Sequence, residues 1–254
     1  MKISTSIPLG KNIRISERHQ LREKAREKIL SIVSLSMEDL LIDADHKLKD
    51  FLDINQTFSH QYSIFLKTLE MGSLFVRQNK VDADLNIPLR NKSGLLFFLP
   101  LPWGTEEYNI LKPADFVGEA YQTTSADSEF PENKAPVLYT GLVIDARDFE
   151  PHPALAPRIY TQDGRLIFGP EFLNANIAIQ RGIVAYIPSL QSELLKVRAG
   201  NHPMLTSALA ITGKYQTDFV ISLEDGAKLF DHKQSVINLL KCRVVILVKE
   251  QKKG

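Results

Sequence analysis

Two runs of the sequence, VLYTGLVIDA (residues 137–146) and LLKCRVVILV (residues 239–248), are apolar almost without interruption. A strand with one wet face alternates apolar and polar side chains, and these runs have no polar face to turn outward. They read as strands buried on both faces, so this part of the chain must supply cover on each side of a sheet. In the second run a helix passes into the last strand, and Cys242 falls within the buried strand.

The N-terminal part follows a different period. Leu21, Ala25, Ile29, Ile32, Val33, Ser36, Met37, Leu40 and Leu41 recur at helical spacing, while Arg18, Arg22, Glu23, Arg26 and Glu27 take the other side. This is a long amphipathic helix over residues 17–41, with Ser16 placed to cap it. The glutamates interleave with the basic residues, so the charged side reads as a solvated face. A second helical stretch covers residues 45–69, with Leu48, Phe51, Leu52, Phe58, Tyr62, Phe65 and Leu69 as its apolar positions and a break at Asn55–Thr57. Residues 72–89 alternate around Gln78–Asn79, the pattern of two strands and a tight turn. Residues 90–118 mix apolar patches with prolines and glycines and read as edge strand and loop. Residues 122–136, QTTSADSEFPENKAP, are polar and aperiodic, as a linker or long surface loop would be.

Beyond the loop, PRIYTQDGRLIFG reads as two short strands around Asp163–Gly164. AIQRGIVAYI reads as a strand. SLQSELLKVRAG reads as a helix capped by Ser189 and closed by Gly200. TDFVIS is a strand and LEDGAKLF a short helix. The expected organisation is therefore α+β: long amphipathic helices packed on a mostly antiparallel sheet in residues 1–121, a linker at 122–136, and a second sheet-containing lobe in 137–254.

Composition narrows the function classes. Lys plus Arg number 31 against 30 Asp plus Glu, a net charge of +1, which gives no long-range attraction toward nucleic acid. No run reaches the roughly 20 apolar residues of a membrane span. The start, MKISTSIPLGKNIRIS, lacks the apolar core of a secretory signal, which leaves open whether a leader once preceded it. Cys242 stands alone, so neither an intramolecular disulfide nor a cysteine-based zinc site can form.

The chemistry-bearing motifs are sparse. There is no phosphate-binding glycine loop, no nucleophile elbow, and no pair of histidines one helical turn apart. Asp145 and Arg147 alternate along a strand end and share a face, so they form a structural clamp or a ligand contact, with Arg158 as a further partner. His152 lies between Pro151 and Pro153, which hold its backbone extended, and could reach Asp145 or Asp148. SGLLFFLPLPWG presents Phe97, Phe98 and Trp103 between prolines, which suits either core or interface anchors.

The order AREKILSIVSLSMEDLLID, a second helix, then LEMGSLFVRQNKVDADLNIPL resembles the domain of the Lpp-twenty-type bacterial lipoproteins and related flagellar assembly proteins. YTGLVIDARDFEPHPALAPRIYTQDGRLIFG, with TDFVISLEDGAKLF and LLKCRVVILV, looks like a segment that follows this domain in bacterial envelope proteins. In that segment DAR is followed by glycine, whereas this chain has Asp148 and Phe149. The lipidation cysteine is also missing, so an anchor does not carry over. The resemblance implies a non-enzymatic structural or assembly protein of the periplasm or envelope, associated with a flagellar filament, sheath or ring. It implies other envelope or flagellar proteins as partners or self-association, and no catalytic residues, cofactor or metal. The alternative carried from the residues is an enzyme or small-ligand binder using Asp145, Arg147 and His152. The sequence leaves a cytoplasmic location open.

Overall fold

The computed structural model describes residues 2–8, 18–77, 80–104 and 137–250. The chain divides into two units: residues 1–41 with 46–100, and residues 42–45 with 101–254. The expected loop at 122–136, the domain end at residue 121, the Ser16 cap and the Gln78–Asn79 turn lie outside the described residues.

In the first unit, β1 (Lys2–Pro8), β2 (Met71–Arg77) and β3 (Lys80–Asn86) form an antiparallel sheet in the order β1-β3-β2. Arg77 pairs with Lys80, which makes β2 and β3 a hairpin. Helix α1 (Arg18–Glu38) packs on β1 and β3 and buries Ala25, Ile29, Val33 and Met37. These four positions are each one turn apart, the stripe a helix turns toward a core. The next helical stretch is two helices, α2 (Leu48–Ile54) and α3 (Gln56–Thr68). Asn55 both ends α2 and caps α3, its side chain accepting from the Phe58 amide at 2.9 Å. Phe58, Tyr62 and Phe65 follow on the buried face of α3. They belong to a run of ring contacts, His46–Phe51–Phe58–Tyr62–Phe65–Phe98–Phe97, with neighbouring centroids 5.1–6.4 Å apart. Burial pushes the Tyr62 phenol up to about 12. Where an edge strand was expected, residues 95–98 form a short helix, α4 (Leu95–Phe98). Its backbone is drawn into a tight bend, the Leu95 and Leu96 amides donating to the Pro88 and Leu89 carbonyls.

The second unit holds two four-stranded sheets. The first contains β4 (Leu142–Asp145), β7 (Ala185–Ile187), β8 (Met204–Ser207) and β11 (Val244–Leu247), ordered β7-β11-β4-β8 and parallel throughout. The second contains β5 (Ile159–Thr161), β6 (Leu166–Phe168), β9 (Ala210–Thr212) and β10 (Asp218–Ile221), ordered β6-β5-β10-β9, with β5 and β10 parallel and the outer pairs antiparallel. The protein is thus α+β, with helices on an antiparallel sheet and a second, sheet-containing lobe. Both uninterrupted apolar runs supply central strands of the parallel sheet, and all four residues of β11 are buried. Gly164, at φ 83, turns the β5–β6 hairpin.

Helices α5 (Ala175–Arg181), α6 (Glu193–Ala199), α7 (Leu223–Phe230) and α8 (Lys233–Leu240) complete the unit. Leu195 and Ala199 of α6 pack onto Val143, Ile187, Val245 and Leu247. Three sequence expectations are corrected. AIQRGIVAYI is helix and then strand: Asn174 accepts from the Ile177 amide and starts α5, and Gly182 at φ 77 ends it before β7. The residue that opens α6 is Ser192, while Ser189 accepts from the Gln191 amide in the turn before it. Cys242 is buried as expected but stands at φ 58 in the turn ahead of β11. Its burial pushes the thiol up to about 11. Among the described residues no helix is long and apolar enough to cross a membrane.

Candidate functional site

In a parallel sheet every strand delivers its carboxyl end to the same edge, and the loops that leave there diverge and open a crevice. In this unit that edge gathers the loop after β4, Pro188 after β7, and Val248–Glu250 after β11. A cavity of about 570 Å³ lies there, lined by Glu150, Pro151, His152, Pro153, Pro188, Val248, Lys249 and Glu250.

The wall is fixed by hydrogen bonds to distant parts of the unit. The His152 amide donates to the Gln216 carbonyl at 3.2 Å, and His152 Nδ1 lies 3.1 Å from the Tyr215 carbonyl oxygen. Tyr186 of β7 is half-buried, and its hydroxyl both accepts from the Ala154 amide and donates to the Ala154 carbonyl, each at 3.1 Å. Burial drives that phenol far above its ordinary range. On the far side the Val248 amide donates to the Ile187 carbonyl. Lys249 Nζ donates to Glu150 Oε1 at 2.8 Å across the rim, and the Lys249 bond holds the Glu150 carboxyl below the usual range.

Asp145 and Arg147 stand beside this edge as a closed pair. Arg147 Nε donates to Asp145 Oδ1 at 2.8 Å while Nη2 bonds the other carboxylate oxygen. The Arg147 bonds hold the Asp145 carboxyl below the usual range, against the smaller effect of burial. The pair is half-open to water, with side chains 41% and 28% exposed.

Arg158 is not part of that clamp. It donates through Nε to Glu171 at 2.7 Å and lies 3.7 Å from Asp43, while its backbone amide donates to Asp218 at 2.9 Å. Asp43 and Asp218 are buried, at 6% and 3% exposure. Burial works against the Arg158 charge, but Glu171, Asp43 and Asp218 together push its pKa up. Burial pushes Asp218 up to about 6, opposed by the Arg158 amide and guanidinium and assisted by Asp43. The expected contact of His152 with Asp145 or Asp148 is replaced by the Tyr215 carbonyl.

Phe97 is 47% exposed and meets Phe98 edge to face at 5.1 Å, and Phe98 packs on Phe65 at 5.6 Å. Trp103 is half-buried and belongs to the second unit, whereas Phe97 and Phe98 belong to the first. A different apolar stripe stands on the second unit. Leu190, Leu194 and Val197 are 45%, 61% and 76% exposed on the outer side of α6 and the turn before it. Their spacing of four and three residues was present in SLQSELLKVRAG, where the buried and exposed apolar positions are adjacent and so hide one another. Glu150 with Lys249, and the carboxylates around Arg158, also went unread because their partners lie far along the chain. Among the described residues no group of three or more His, Cys, Asp or Glu side chains could hold a metal ion.

The second unit is therefore a helix-covered parallel sheet joined to a mixed sheet, with a small crevice at the carboxyl edge. Residues 141–250 match the family model described as the second domain of Treponema pallidum Tp0624. No curated protein matches the chain.

Proposed function

We propose that the protein is a non-enzymatic structural or assembly component of the bacterial cell envelope, associated with the flagellum and acting through protein–protein contacts in the periplasm or envelope. The observation that carries this reading is the stripe Leu190, Leu194 and Val197. Two large apolar side chains on the outer side of α6 and a third in the turn before it, all left in water, are what an interface presents before its partner covers it. The resemblance of residues 13–89 to Lpp-twenty-type lipoproteins and flagellar assembly proteins supports the location and the flagellar association. The similarity of residues 141–250 to a Treponema domain supports a bacterial setting. The saturated pairing of Asp145 with Arg147 supports a structural use of those two residues over a catalytic one.

The test is a deletion strain of the native host, scored for motility and envelope morphology. Loss of motility or altered flagellar structure is expected. A strain normal in both respects overturns the reading. Complementation with Leu194→Glu and Val197→Glu is expected to fail while the purified variant unfolds at the wild-type temperature, because both side chains already stand in water.

A further inference from the structure

The proposed contacts use the outer side of α6 and leave the crevice at the carboxyl edge of the parallel sheet without a role. Its volume, about 570 Å³, falls in the range of roughly 300–1,000 Å³ typical of small-molecule sites. Its walls are already shaped. Pro151, Pro153 and Pro188 have fixed φ angles, and the loop that carries two of them is tied to Gln216, Tyr215 and Tyr186. Glu150, in the lining, and Gln216, whose carbonyl accepts from the His152 amide, both stand at φ 54, a region that glutamate and glutamine rarely adopt. A ligand would therefore meet a preformed surface and lose little affinity to ordering it.

The chemistry of the lining narrows the occupant. The prolines and Val248 supply apolar lining. The rim carries one ammonium, Lys249, and two carboxylates, Glu150 and Glu250. Lys249 and Glu150 hold each other at 2.8 Å, but both side chains are mostly exposed, at 55% and 72%, and such a pair is weakly held. A simple anion would have to displace Glu150 and then face both carboxylates. A simple cation would leave Lys249 opposed. A molecule with both charges can insert into the pair and satisfy each half. His152 adds an acceptor. A carbonyl oxygen can only accept, so Nδ1 carries a hydrogen toward Tyr215; in the tautomer with that single ring hydrogen, Nε2 is the acceptor for a ligand N–H.

We propose that this crevice binds a small zwitterion with an apolar side chain, an α-amino acid or short peptide. Its carboxylate lies on Lys249, its ammonium on Glu150 and His152, and its side chain on Pro151, Pro153, Pro188 and Val248. This site is independent of the α6 surface, and either can fail without the other.

The probe is L-phenylalanine, titrated into the full chain by NMR. 3-Phenylpropanoate and 2-phenylethylamine carry a similar body with one charge each. Saturable binding of phenylalanine is expected, with each single-charge compound weaker by about tenfold, the weight of one charge-assisted hydrogen bond. Lys249→Gln and Glu150→Gln change exposed residues and leave the fold intact; each is expected to weaken phenylalanine by about the same factor. Three results would each overturn the proposal: no saturable binding at millimolar phenylalanine, equal binding of the three compounds, or phenylalanine affinity unchanged in both variants. Tighter binding of 2-phenylethylamine than of phenylalanine would also overturn it, by reducing the site to its carboxylates.

Discussion

Arg147 and Arg158 sit eleven positions apart in one sequence segment and are used in opposite ways. Arg147 closes on Asp145, two residues away on the same strand end, in a pair half-open to water. Arg158 is 18% exposed and draws together Asp43, Glu171 and Asp218 from three separate parts of the second unit. The first pair fixes a turn, where solvent already screens most of its attraction. The second places a positive charge beside carboxylates that burial has taken out of water. The same side chain therefore differs in consequence according to how much water its partners have given up.

Removing each arginine tests this contrast. Arg158→Met is expected to cost the most, about 3 kcal/mol or more, because it leaves Asp43 and Asp218 buried with their compensating charge gone. Chemical denaturation checks it; a loss no larger than that of the Arg147 variant would erase the distinction. The pH dependence comes next. The folded Asp218 carboxyl titrates near 6 against an ordinary 3.8, so folding raises its proton affinity. Its contribution is present in full below pH 3.8 and is lost as pH rises through 6, a change on the order of 3 kcal/mol. Asp218→Asn is expected to flatten stability between those limits, which unfolding curves taken across that range would show. A slope unchanged by the substitution would assign the effect to another group. The smallest effect belongs to Arg147→Ala, expected to shift the denaturation midpoint less than either other variant and to do so only where Asp145 is ionised. That shift should shrink further in high salt.

What could be read from the sequence followed the range of the interaction. The α1 stripe, the Asn55 break, the β2–β3 and β5–β6 hairpins and the Asp145–Arg147 pair all rest on residues a few positions apart. The uninterrupted runs around β4 and β11 were legible as buried strands because burial on two faces leaves no alternation. Their order and parallel pairing were not, since β11 meets β4 across a hundred intervening residues. Helix α5 was misread because Ile177, Ala178 and Ile179 are consecutive apolar residues that fit either period, and Asn174 alone marks the helix start. Of the crevice, only the Pro151–His152–Pro153 wall was visible. Lys249, Pro188 and the Tyr215 carbonyl reach it through the fold.

The place of β11 also sets an order of events. It is the last of the four strands in the chain, yet it lies between β7 and β4 in the finished sheet. A ribosome making this protein releases β4, β7 and β8 well before the strand that joins them. Until residue 247 emerges, β7 has no neighbour in that sheet, and the apolar faces of β4 and β8 have one partner each. The nascent chain must keep these segments from pairing with other molecules, and the parallel sheet closes late in synthesis.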